Sequence, residues 1–229
     1  MKQLQLTTLN VDKRISNAIN ESMRIYCNKL VNGKIPIGLE ATFQHELALI
    51  LTGILESMTL ISNEHFSLTL EENIPINGNN NYVDIVIHYD FNGTRTDYLI
   101  ELKFKKITDK APDRGTIETF FDIYNLDKLH NTQLNPGHIK NSYVIFLTDL
   151  QTYKNNPQQK GTRYELPMFD GAHLLSGHNY MVSQNCAKKL VSKQFGPKFK
   201  GFTFTKNLDI EYNHFLVSQN DFWYFILEI

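Results

Sequence analysis

Apolar positions recur at helical spacing through the first sixty residues. Val11, Ile15, Ala18, Ile19, Met23, Tyr26, Cys27 and Leu30 share a stripe, which predicts an amphipathic helix over 11–30. Lys13, Arg14, Asn17, Glu21 and Arg24 fall on its polar side. Gly33 and Pro36 in VNGKIP break the pattern. A second helix is predicted over about 39–58, with Leu39, Phe43, Leu47, Ile50, Ile54 and Met58 facing inward. Strand patterning follows. FSLTLEENI (66–74) predicts a strand ending before Pro75, and NGNNN a loop. The stretch NYVDIVIHYDFNGTRTDYLIELKFKK (81–106) reads as two strands joined at Asn92-Gly93, the strongest short-range hairpin signal. ITDKAPDRG reads as a linker, TIETFFDIYNLDKL (116–129) as a helix, and SYVIFL (142–147) as a strand buried on both faces. Beyond Gln151 the signal weakens. QTYKNNPQQKGTRYELP resembles an exposed loop and 186–194 a short helix, while GFTFT (201–205) and FWYFILEI (222–229) read as strands closing the sheet.

Helix, three strands, helix and strand in that order predict an α/β fold with a mixed central sheet flanked by helices. The expectation is a single domain over 1–229, with its core at about 39–149, an N-terminal helix at 11–30 and a C-terminal elaboration at 150–229.

Composition changes this picture little. Hydrophobic residues make up 41% and charged residues 21%, as in ordinary globular proteins, and no apolar run is long enough to span a membrane. The amino terminus lacks the apolar stretch of a secretory signal. Cys27 and Cys186 have no metal-ligand spacing, so a reduced, cytoplasmic setting is expected. The net charge of −1 is uninformative, but its distribution is uneven. Between Gly171 and Leu208 there is no Asp or Glu, whereas Lys188, Lys189, Lys193, Lys198, Lys200 and Lys206 all fall there. Such a run suits a polyanion partner, although taken alone it more often marks a solvated surface.

The hairpin carries the candidate chemistry. With a two-residue loop, Phe91 pairs with Thr94, and counting outward sets Asp84 opposite Glu101. Alternation then gives Asp84, Val86, Leu99, Glu101 and Lys103 one face, and Val83, Ile85, Ile87, Ile100, Leu102 and Phe104 the other. Two carboxylates across a ladder sit roughly 5 Å apart and repel. Lys103 offsets part of that charge, and a divalent cation would offset the rest. The bland alternative is an exposed salt-bridge cluster of little energetic weight. On the preceding helix a wheel places Glu40 inside the apolar stripe, Glu46 at its edge and Glu56 opposite. A carboxylate at a helix start also has an ordinary explanation in the helix dipole. His45 and Glu46 lack the HExxH spacing of a zinc site. His88, on the acidic face near the turn, is expected to be solvent-exposed. Arg114, Lys105 and Lys106 are candidates for phosphate contact.

Asp84 followed by Glu101-Leu102-Lys103 after a hairpin, with an acid-bearing helix before and a helix and strand after, resembles the PD-(D/E)XK nuclease superfamily. The resemblance covers roughly 39–149, the αβββαβ core of restriction endonuclease-like folds. Val83 stands where the family name has proline. Glu40, Phe43, Leu47 and Leu51 match the spacing of the family's helix-acid motif ExxYxxxLxxxL, with Glu46 as the other candidate.

The resemblance implies a metal-dependent phosphodiester hydrolase, a DNA endonuclease of restriction, repair or defence type. Asp84, Glu101 and the Leu102 backbone carbonyl would hold Mg²⁺ (or Mn²⁺), a hard cation suited to oxygen donors. Lys103 would position the nucleophilic water and the attacked phosphate, and Glu40 would orient a water or complete a second metal position. The implied partner is nucleic acid, DNA ahead of RNA, without a membrane, and restriction-type members often act as homodimers. The alternative is a nucleic-acid-binding module on the same fold that lacks hydrolysis.

Overall fold

A computed structural model of the chain describes residues 10–59, 62–75, 80–109, 112–131, 138–156, 165–182 and 199–229. Most of the lysine-rich run and the helix expected at 186–194 lie outside these residues, as does Cys186. The protein is α/β, with a mixed sheet of antiparallel and parallel strands flanked by helices. The elements run α1 (Val11–Val31), α2 (Glu40–Ser57), β1 (Glu64–Asn73), β2 (Tyr82–Phe91), β3 (Thr94–Lys105), α3 (Pro112–Asn131), β4 (Ile139–Thr148) and α4 (Gln151–Lys154). There follow β5 (Ala172–Leu174), β6 (Asn179–Met181), β7 (Gly201–Thr203), β8 (Leu208–Ile210), β9 (Asn213–Val217) and β10 (Asn220–Glu228). The main sheet has the order β1-β2-β3-β4-β10-β9. Its other pairs are antiparallel, so β3 and β4, joined through α3, form the parallel pair of the mixed sheet.

The chain divides into two compact units, Met1–Ile100 with Leu134–Asn141, and Glu101–Gln133 with Ser142–Ile229. In the first unit, α1 begins where the Asn10 side chain accepts the Lys13 N–H at 2.9 Å, an N-cap bond. Its apolar stripe is buried from Ile15 to Leu30, with Val11 half-buried, but Arg14 is buried with it and does not face solvent. Arg14 is doubly hydrogen-bonded to buried Glu64 at the start of β1, which offsets the cost of burying either charge. On α2 the buried ridge is Phe43, Leu47, Leu51 and Leu55, while Leu39 is 69% exposed and Ile50 and Ile54 are half-buried. LALILTGIL offers two apolar ridges one residue apart, and the packing selects the one that continues Phe43 and Leu47 at i+4. Tyr26 and Phe43 seal α1 against α2 with ring centroids 4.8 Å apart.

The second unit centres on α3 and β4. The helix starts at Pro112, inside the stretch read as a linker, because proline at the first helical position sacrifices no hydrogen bond. Residues 142–148 of β4 are all buried, as the apolar run Tyr143–Leu147 at its centre requires. GFTFT does not join the main sheet. Gly201–Thr203 pairs with Asn179–Met181 in a ladder of its own, and Phe202 and Phe204 pack on Phe120 of α3 at 5.7 and 5.9 Å between ring centroids. The stretch after Gln151, read as an exposed loop, opens with the short helix α4, whose Tyr153 is buried.

Candidate active site

The hairpin closes as its turn chemistry dictates. Asn92 and Gly93 have φ of 51° and 77°, the pair of positive values a type I′ turn needs, and Phe91 pairs with Thr94. The ladder continues to Ile85↔Ile100. One residue further out stands Asp84 on β2, in the first unit, and Glu101 on β3, which opens the second.

In the first unit, Asp84 is half-buried between fully buried Val83 and Ile85. The β1–β2 register pairs Leu70 with Ile85 and Glu72 with Val83, which sets Glu71, whose φ is 54°, at the position opposite Asp84. A non-glycine residue held at positive φ is strained, and such residues cluster at functional sites. Here the helix supplies a bond to the strand. Gln44 Nε2 donates to the Asp84 carbonyl at 2.7 Å and to Glu71 Oε1 at 2.9 Å. Glu40 lies one turn before Gln44, so both project from the same side of α2. Glu46, the other candidate for the helix acid, is held by Lys29 of α1 at 2.7 Å.

His88 is not solvent-exposed. It is 4% exposed because the pairing that sets it opposite Asp97 also closes a polar network around the ring. Its Nδ1 is 2.9 Å from Asp97 Oδ1, and its Nε2 is 2.9 Å from Thr69 Oγ1 and 3.0 Å from Glu72 Oε2. Arg95 Nε adds a bond to Asp97 at 2.8 Å, and His138 Nε2 lies 3.2 Å from the same carboxylate. Burial pushes the Asp97 carboxyl up, but the hydrogen bonds from His88 and Arg95 outweigh it and hold it below the usual carboxylate value.

In the second unit, Glu101 and Leu102 are buried and Lys103 is half-buried. Lys103 Nζ donates to the Leu102 carbonyl at 3.2 Å and is 2.9 Å from Asp122 Oδ2 on α3. Asp122 was not legible as a partner of the lysine, although it is the single charge in the apolar run TFFDIY. Lys105 and Arg114, read as candidates for phosphate contact, converge on Glu118 at 2.9 and 2.7 Å. Burial raises the Glu118 carboxyl, but the bonds from these two cations more than reverse it.

Among the described residues, no group of three or more His, Cys, Asp or Glu side chains is disposed to hold a metal ion. Magnesium asks for less, since it binds through one or two carboxylates and retains waters. The donor chemistry of Asp84, Glu101 and the Leu102 carbonyl fits that demand. No family model, no curated protein and no solved structure matches this chain.

Proposed function

We propose that the protein is a Mg²⁺-dependent nuclease with a restriction endonuclease-like core, cleaving DNA phosphodiesters with Asp84, Glu101 and Lys103. The observation that carries this reading is the hairpin register, whose next residues outward from Ile85↔Ile100 are Asp84 and Glu101. The element order α2-β1-β2-β3-α3-β4 supports it, as does the bond from Gln44, one turn past Glu40, to the Asp84 carbonyl.

Asp84 and Glu101 supply carboxylate oxygens, and the Leu102 carbonyl a third oxygen donor. Mg²⁺, when bound, supplies Lewis acidity toward the phosphoryl group and makes water more acidic. Lys103 is the residue that orients the attacking water and neutralises charge building on the phosphoryl oxygens. Its present partner, Asp122 at 2.9 Å, directs the ammonium. Glu40, on the Gln44 face of α2, positions water on the Asp84 side.

The test is cleavage of plasmid and of single-stranded DNA by the wild-type protein in Mg²⁺ and in EDTA, repeated with Asp84→Ala and Lys103→Ala. Metal-dependent nicking that either substitution lowers by about a hundredfold or more is the expected result. DNA binding without any metal-dependent nicking would instead mark a binding module on this fold.

A further inference from the structure

The loop between α1 and α2, in the first unit, presents large apolar side chains to solvent. Ile37 is 41% exposed and Leu39 69% exposed, and they flank Gly38. Leu39 also fills the N-cap of α2, the position at which Ser, Thr, Asp or Asn would bond a free backbone N–H. The sequence thus forgoes a helix cap and leaves a leucine in water at the same residue. Stability is commonly given up in this way where function needs the side chain. The loop is firmly held. Ile35 is buried, and the ring of Pro36 fixes its φ. A Cβ on Gly38 would lie 2.5 Å from Thr42 Cβ, so the loop backbone packs directly on the first turn of α2.

One exposed leucine is ordinary on a protein surface. The position of this one gives it meaning. Leu39 immediately precedes Glu40 and lies five residues before Gln44, whose side chain bonds the Asp84 carbonyl. Five helical residues rise about 7–8 Å, close to two base steps of a duplex at about 3.4 Å each. Lys34, exposed in the same loop, supplies positive charge, and no Asp or Glu falls between Glu21 and Glu40, which suits a polyanion. We infer that Ile37 and Leu39 form an apolar wedge that enters duplex DNA about two base steps from the scissile phosphate and unstacks it there. Leucine and isoleucine are among the side chains that open base steps by insertion. A loop held rigid before binding loses little entropy when it does so.

The inference rests on the nuclease reading above and deepens it, naming a locally opened duplex as the substrate. Its test needs no cleavage. Wild-type protein in EDTA is titrated into a matched duplex and into the same duplex with one mismatch, followed by fluorescence anisotropy. Duplexes carrying 2-aminopurine at successive positions report unstacking. A mismatch lowers the cost of opening the stack, so wild-type protein should bind the mismatched duplex about tenfold or more tighter and brighten 2-aminopurine at the wedged step. Leu39→Met, which keeps an apolar tip, should do the same. Leu39→Ser should lose both effects while raising Tm by about 2–4 °C, because serine caps the helix. Wild-type protein that binds no duplex or binds the two equally would overturn the inference. So would a Leu39→Ser variant that still discriminates, has a lowered Tm, or differs from wild type only in self-association during sedimentation, the last making this loop a contact between copies. Plasmid nicking in Mg²⁺ separates the two readings. Wild-type protein that nicks without discriminating loses the wedge and keeps the nuclease, and one that discriminates without nicking does the reverse.

Discussion

Replacing Glu64 with alanine should destabilise the protein far more than an ordinary ion-pair deletion. The Arg14 and Glu64 side chains are only 7% and 2% exposed. Arg14 Nη1 donates to Glu64 Oε2 at 3.1 Å and to the Met58 carbonyl at 3.0 Å, and Nη2 bonds the other carboxylate oxygen. Tyr89 Oη donates to Glu64 Oε1 at 2.9 Å, and the guanidinium lies 5.6 Å from the centre of the Phe66 ring. In Glu64→Ala the guanidinium stays charged, because arginine does not shed its proton, and it stays enclosed. Breaking such a pair from one side costs about 3–5 kcal/mol. For a chain of this size that lowers Tm by roughly 6–20 °C. The double variant Arg14→Met/Glu64→Leu removes both charges and keeps apolar volume, so it should return to within about 1 kcal/mol of wild type or exceed it. Urea unfolding followed by circular dichroism, analysed as a double-mutant cycle, reads both quantities. If Glu64→Ala costs less than about 1 kcal/mol, or if the double variant is as unstable as the single one, the pair is not the desolvated contact described here.

Two further outcomes follow from other parts of the molecule. The Asp97 carboxyl is held below its ordinary value of 3.8 by His88 and Arg95, so its stabilisation is complete above that value and is lost as pH falls through the lower folded value. Urea midpoints measured at pH 7 and near pH 3 should therefore fall more steeply for wild type than for Asp97→Asn, and equal pH dependence would contradict the assignment. In the second unit, a Cβ added at Gly115 would lie 2.2 Å from Tyr153 Oη and 3.2 Å from Lys105 Cε. Gly115→Ala should thus cost about 1–3 kcal/mol despite better helix propensity, with Tyr153→Phe recovering part of it. A stabilised Gly115→Ala protein would show that the helix gives way freely.

The parts of the fold with strong local rules were legible in the sequence. Asn92-Gly93 determined the turn and, through it, the Phe91↔Thr94 register. The short apolar run at Ser142–Leu147 predicted a strand buried on both faces. Other features depended on partners distant in the chain. Nothing near Arg14 announces Glu64 fifty residues later, so a buried cation read as a surface one. His88 next to a turn gave no hint that Glu72 and Thr69 of β1 would enclose it. The β9–β10 hairpin turns on Ser218 and Gln219 at φ of 48° and 73°, which no Gly or Asn marks, and so only its second strand was predicted. Phe202 and Phe204 alternate as strand residues should, but the choice between the main sheet and α3 was made by the aromatic face of that helix. Of the candidate site, the two acids and the lysine stood out as residue types on one hairpin. Asp122 as the lysine's partner and Gln44 as the link from α2 to Asp84 required the fold.

Calorimetric titration of Mg²⁺ into the wild-type protein and into Asp84→Ala, under conditions where both remain folded, addresses the central claim most directly. The account predicts one saturable binding event in the wild type that weakens by at least about tenfold or disappears in the variant. Wild-type protein that takes up no Mg²⁺, or an Asp84→Ala variant that binds it equally well, would contradict it.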